Sequence, residues 1–154
     1  ALPAIELAAS RLFSPADLPA PLAADTMPLD KLAAAQADGR LWVVRADGGV
    51  PVGFAVTGIV DTHPHLALMA VRPDHGRRGL GTRLLAAVIS WASGHGRLLT
   101  LTTFSHVPWN APFYARHRFR PLAPDEHGPE LRAILQQEPR SGLRHRVAMG
   151  RPLG

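Results

Sequence analysis

The sequence contains no cysteine, and among its 154 residues there is one tyrosine and one lysine. Without cysteine there is no disulfide framework, no thiolate zinc site and no cysteine nucleophile. No run approaches the roughly 18 apolar residues that a membrane span needs. The opening stretch ALPAIELAASRLF carries Glu6 and Arg11 inside its apolar pattern, so it reads as neither anchor nor signal peptide. A soluble, cytoplasmic protein with no membrane partner is expected. What is present suffices for a core: 46% of the residues are hydrophobic and 19% charged, which excludes disorder, and the length suits one domain over residues 1–154. The chain starts at Ala1 without a methionine, which leaves room for a first strand upstream.

Charge is uneven along the chain. Up to His75 there are eight acids against five Lys and Arg, and from Gly76 onward four acids against twelve. Sixteen of the seventeen basic residues are arginine, whose planar fork suits phosphate and carboxylate. The basic half therefore suits an anionic ligand, and equally a solvated basic surface. It lacks the closely spaced strand aromatics of a nucleic-acid platform, and no nucleic-acid partner is expected.

Periodicity divides the chain into alternating elements. Leu2 to Phe13 reads as an amphipathic helix, followed by a connector with four prolines and a second helix at Leu29 to Ala37. LWVVRA and PVGFAVTGIV flank Asp47-Gly48-Gly49, a hairpin signal because such turns favour positive φ. A third strand, His65 to Val71, follows the turn residues Asp61 to Pro64 and completes an antiparallel meander. The period then changes: Leu80, Leu84, Val88 and Trp91 share one helical face. RLLTLTTF, Arg97 to Phe104, resumes as a strand, expected parallel to the third through a right-handed crossover. A short helix near Pro108 to His117, a strand near Phe119 to Leu122, a helix at Pro129 to Gln137 and a strand at Leu143 to Met149 finish an α/β fold with a mixed sheet. The arginines of RSGLRHRVAMGR read as exposed charges alternating with buried residues on that last strand.

The most informative stretch is VRPDHGRRGLGTRLL, between strand and helix. Gly79 and Gly81 remove side chains where the turn enters the helix, so that backbone N–H groups converge on an anion at the positive end of the helix dipole. A plain turn using glycine for backbone freedom has the same look. Gly76, Gly81 and Thr82 have the outline of a Walker loop, but no lysine stands between Gly81 and Thr82. A dinucleotide fingerprint needs glycine where Leu84 stands and sits earlier in a parallel sheet.

Val71-Arg72-Pro73, Arg78-Gly79-Leu80-Gly81 and Leu84-Leu85, joined downstream by APFYARHRF, resemble motif A and the following segment of the GNAT superfamily of acyl-CoA-dependent N-acyltransferases, over most of residues 41 to 122. The resemblance implies an antiparallel meander followed by a βαβ unit with splayed parallel strands, and helices on both faces. It implies acetyl-CoA as cosubstrate, with the backbone of Met69, Ala70 and Val71 pairing with the pantetheine arm, and Arg77, Arg78, Gly79, Leu80, Gly81 and Thr82 around the pyrophosphate. Arg72 or Arg83 adds charge. Two departures stand out: Gly76 occupies a position usually Gln or Arg, and Arg118 the register of a glycine.

The implied reaction is acetyl transfer to a primary amine, of a small molecule or a peptide, by direct attack in a ternary complex. Tyr114, at the family's acid position, is the expected proton donor to the leaving sulfur. The third strand offers no glutamate; His65 shares its face with Ala67, Met69 and Val71 by the period-2 rule and titrates in a suitable range, so it is the candidate base. His106 and Glu6 are fallbacks, as are water relays. Asp61, His63 and His65 alternate, but Pro64 interrupts them and no metal site is expected. The serines lack a G-x-S-x-G elbow. A non-catalytic acyl-CoA-binding module is the alternative reading. A homodimer through Trp42 or Trp109 and a core role for both tryptophans are equally compatible with the sequence.

Overall fold

The computed structural model describes residues 1–11, 18, 26–75, 79–105, 107, 110–140 and 146–153. In chain order these form α1 (Leu2–Ser10), α2 (Leu29–Ala37), β1 (Leu41–Arg45), β2 (Pro51–Val60), β3 (His63–Val71), α3 (Leu80–Ser93), β4 (Leu98–Phe104), α4 (Ala111–Arg116), β5 (Arg120–Pro121), α5 (Pro129–Arg140) and β6 (Arg146–Pro152). Short 3-10 turns lie at Pro73–His75 and Pro124–Glu126. The six strands form one mixed sheet in the order β1-β2-β3-β4-β6-β5. By compactness the chain divides into two units, Ala1–Gly58 with Leu66–Trp91, and Ile59–His65 with Ala92–Gly154.

In the first unit β1 and β2 pair antiparallel with Val43 opposite Phe54. The turn between them takes the expected positive φ at Gly48 and Gly49, 90° and 84°. Period-2 alternation gives this ribbon two faces. On one, Ile5 of α1 and Leu32 and Ala35 of α2 pack against Phe54, Val56 and Ala70. On the other, Trp42 meets Trp91 of α3 edge to face at 5.8 Å. Leu80, Leu84 and Val88 are buried as the helical period predicts, and so is Leu85. Gly53 is required by close packing, because a Cβ there would lie 2.9 Å from Val44 Cγ1 and 3.2 Å from the Ala70 carbonyl oxygen.

In the second unit β4 pairs along its length with antiparallel β6, Leu98 to Pro152 and Phe104 to Arg146. His65 of β3 pairs with Thr100 of β4 in parallel, the crossover expected from the strand-helix-strand pattern. Leu131 of α5 packs with Leu122 and Ala148. β3 begins two residues earlier than expected and takes Pro64 into the strand, where the ring lies buried against Gly96; a Cβ on Gly96 would be 2.7 Å from Pro64 Cδ. The turn before it is only Asp61-Thr62, with φ of 52° and 66°. Asp61 then serves a second element. Its carboxylate accepts hydrogen bonds from Glu130 N (2.8 Å) and Leu131 N (2.9 Å), and Glu130 Oε1 accepts from Asp61 N at 3.1 Å. This caps α5 from outside the helix. Gly128 leaves the room, since a Cβ there would collide with the Asp61 carboxylate.

Candidate active site

In the first unit, β3 leads through Arg72 and the turn Pro73–His75 to the start of α3. Arg72 N donates to the Val52 carbonyl at 2.8 Å, so β3 stays tied to β2 up to the point where the chain leaves the sheet. Gly79 takes φ of +74° with open space where a Cβ would be. That conformation favours glycine. The helix then closes its first turn with Arg83 N donating to the Gly79 carbonyl at 3.0 Å. Helix geometry gives the preceding N–H groups, those of Leu80 and Gly81, no acceptor inside the helix. They stand at the positive end of a 14-residue helix. Leu80 is buried, Gly81 half-buried and Thr82 exposed. Met69 and Val71 are half-buried and Ala70 is buried. Arg77 and Arg78, like Gly76 and His106, lie outside the described residues.

In the second unit, Tyr114 sits on α4, and its ring packs edge-on against Phe113 at 5.2 Å and Phe119 at 5.5 Å. Burial raises the phenol above its ordinary value, and the Arg146 charge pulls it partly back. The hydroxyl is therefore protonated throughout the physiological range, the form a proton donor needs. Two features place this helix. Asn110 O accepts from Tyr114 N at 3.0 Å, while Asn110 Oδ1 accepts from Thr103 Oγ1 of β4 at 2.9 Å. After the helix, His117 N and Phe119 N both return to the Tyr114 carbonyl, and Arg118 takes φ of 70° between them. Arg118 thus adopts the left-handed conformation of the glycine whose register it occupies.

His65 is buried at 6% exposure, and its Nδ1 lies 2.8 Å from Thr100 Oγ1 across the parallel pair. Burial pushes its pKa down to about 4, with the Asp61 carboxylate pulling the other way. The imidazole is neutral near pH 7, but its conjugate acid is strong, which makes it a weak proton acceptor. His63 of the same strand is half-buried. Among the described residues no group of His, Asp and Glu could hold a metal ion.

One cluster escaped the sequence reading. Arg146, expected as an exposed charge, has a side chain only 16% exposed and is ion-paired with Glu138 of α5, itself 14% exposed, at 3.2 Å. Thr102 Oγ1 donates to the same Glu138 oxygen, Oε2, at 2.9 Å, and Arg146 Nη2 also donates to the Thr102 carbonyl at 3.2 Å. The guanidinium carbon stands 4.5 Å from the centroid of the Phe104 ring. Arg151 is also engaged, donating to the His117 carbonyl at 2.6 Å. The signal that could have found Arg146 is register: Arg146 faces Phe104 across β4 and β6.

Comparison with known proteins follows the same lines. Rv2747 of Mycobacterium tuberculosis, solved in complex with CoA, superposes with a TM-score of 0.70 at 16% identity, covering 99% of this chain and 93% of that one. Naa20 of Chaetomium thermophilum, solved with a bisubstrate analogue, gives 0.67 at 16% identity, covering 96% and 80%. N-acetylglutamate synthase of Neisseria gonorrhoeae, solved with coenzyme A and N-acetyl-glutamate, gives 0.65 at 22% identity over 84% of this chain, which spans only 28% of that larger one. These are likenesses of fold. The sequence profile of the acetyltransferase (GNAT) family matches residues 7–119, nearly three quarters of the chain, and the protein belongs to that family.

Proposed function

We propose that this chain is a single transferase domain that moves an acetyl group from acetyl-CoA to a primary amine of a small molecule or peptide, by direct attack with both substrates bound. The observation that carries the proposal is the glycine turn into α3, where Gly79 takes φ +74° just ahead of the N–H groups of the first helical turn. Family membership and the CoA-bound structures of similar fold support the same ligand. When bound, acetyl-CoA supplies an activated thioester carbonyl. Leu80, Gly81 and Thr82, with Arg77 and Arg78, are assigned to its pyrophosphate, and the backbone of Met69, Ala70 and Val71 to its pantetheine arm. A backbone N–H of that stretch is the donor assigned to the carbonyl oxygen.

The amine enters as an ammonium and loses one proton before its lone pair forms the N–C bond. As the C–S bond breaks, Tyr114 gives its hydroxyl proton to the sulfur, and the second proton leaving the nitrogen restores the phenol. A histidine with a pKa near 4 is poorly matched to an ammonium, so we assign His65 to the hydrogen bond with Thr100 and the first proton to water. The test is release of thiol from acetyl-CoA with a panel of primary amines. Amine-dependent release is expected, and Tyr114→Phe should lower kcat by about 10²-fold while leaving the acetyl-CoA Kd unchanged. Tight acetyl-CoA binding without turnover on any amine would instead favour a non-catalytic module.

A further inference from the structure

The second unit contains a buried carboxylate and a buried guanidinium that are each only partly used. Glu138 directs Oε2 to both Thr102 and Arg146, while Oε1 has no hydrogen-bond partner among the described residues although it is buried. Arg146 uses Nη2, and its Nε is likewise buried without a partner. Leaving such atoms unpaired is costly. The other described acids of this unit are engaged: Glu126 is paired with Arg120, and Asp61 and Glu130 with each other's backbone. Asp125 is exposed. Glu138 is therefore the described carboxylate of this unit that keeps an unused oxygen in a protected position.

We propose that Glu138 and Arg146 form the recognition site for the acceptor: Glu138 Oε1 accepts a hydrogen bond from the incoming ammonium, and Arg146 Nε donates to an oxygen beside it. The inference rests on the transferase reading and names its acceptor class. An unused acceptor next to an unused donor fits an amine with a carbonyl or carboxylate oxygen on the neighbouring carbon, the α-amino end of an amino acid or peptide. A plain alkylamine satisfies only half of the pair. The side chains are 14% and 16% exposed, but Oε1 and Nε themselves are covered, so the acceptor meets them only once the carboxylate turns. The terminal torsion of a glutamate is broad, so a small rotation presents Oε1 while Oε2 keeps Thr102. The Phe104 ring and the Thr102 carbonyl hold the guanidinium in place meanwhile.

The experiment measures steady-state kinetics on the full chain with acetyl-CoA and three probe sets: free α-amino acids, short peptides with free N-termini, and alkylamines such as propylamine. Turnover of α-amino probes well above alkylamines is expected, and the better of the first two sets identifies the source. Glu138→Gln should raise the acceptor KM by roughly tenfold or more, the loss of a charge-assisted hydrogen bond, with the acetyl-CoA KM unchanged. Arg146→Lys keeps the ion pair but removes Nε–H, and should erase the preference for α-amino probes over alkylamines. Circular-dichroism melting of both variants separates these effects from unfolding. Turnover in which folded Glu138→Gln leaves the acceptor KM unchanged overturns this assignment alone. Absence of turnover on every amine by the wild type overturns the transferase reading and this assignment with it.

Discussion

Acid should unfold this protein earlier than its carboxylates alone require, because His65 is buried as a neutral ring. An unfolded histidine takes up its proton near pH 6.5, whereas the folded one resists until about pH 4. Across that window the unfolded state binds more protons, so stability is complete above about pH 6.5 and falls as pH drops toward 4. The displacement from 6.5 to about 4 is worth about 3 kcal/mol when fully expressed, a sizeable part of the roughly 5–15 kcal/mol that holds a domain folded. The perturbation is His65→Asn, which keeps a polar atom near the Nδ1 position facing Thr100 and removes the titration. Urea denaturation of both proteins at several pH values between 4 and 8 supplies the numbers. At pH 8 the variant should be less stable by about 1–2 kcal/mol because ring packing is lost. The gap should close and then reverse as pH falls to 4. Parallel pH profiles for the two proteins would show that His65 is not the source and place the acid sensitivity elsewhere.

Two further predictions concern backbone sites. Asp61→Ala removes both hydrogen bonds to the first turn of α5 and should cost about 1–2 kcal/mol, read from the shift in urea midpoint, with Asp61→Asn intermediate. Arg118→Gly places glycine at φ 70° and should stabilise by about 1 kcal/mol in the same assay, while leaving turnover intact.

The sequence was most legible where local chemistry and the tertiary fold agree. Asp47-Gly48-Gly49 announced its hairpin because glycine alone takes those φ values freely, and α2 begins and ends as expected between Pro28 and Asp38-Gly39. The face of α3 and the parallel pairing of β3 with β4 followed from the change of period. The Asp61-Thr62 turn was hidden because a β-branched threonine at φ 66° is unfavourable on its own and is held by the cap on α5. That made Pro64 look like a turn residue when it is a strand residue packed on a glycine, and left open whether His65 is exposed. The glycine turn into α3 was readable from spacing. The Glu138–Arg146 pair was not, since eight residues separate its members and only the pairing of β6 with β4 makes them neighbours of Thr102 and Phe104.

Calorimetric titration with acetyl-CoA tests directly whether the turn into α3 binds an acyl-CoA. Micromolar binding by the wild type is expected, with at least roughly tenfold weaker binding by Gly79→Ala, because the φ of +74° at that position disfavours a side chain. A folded wild-type protein that takes up no acetyl-CoA would contradict it.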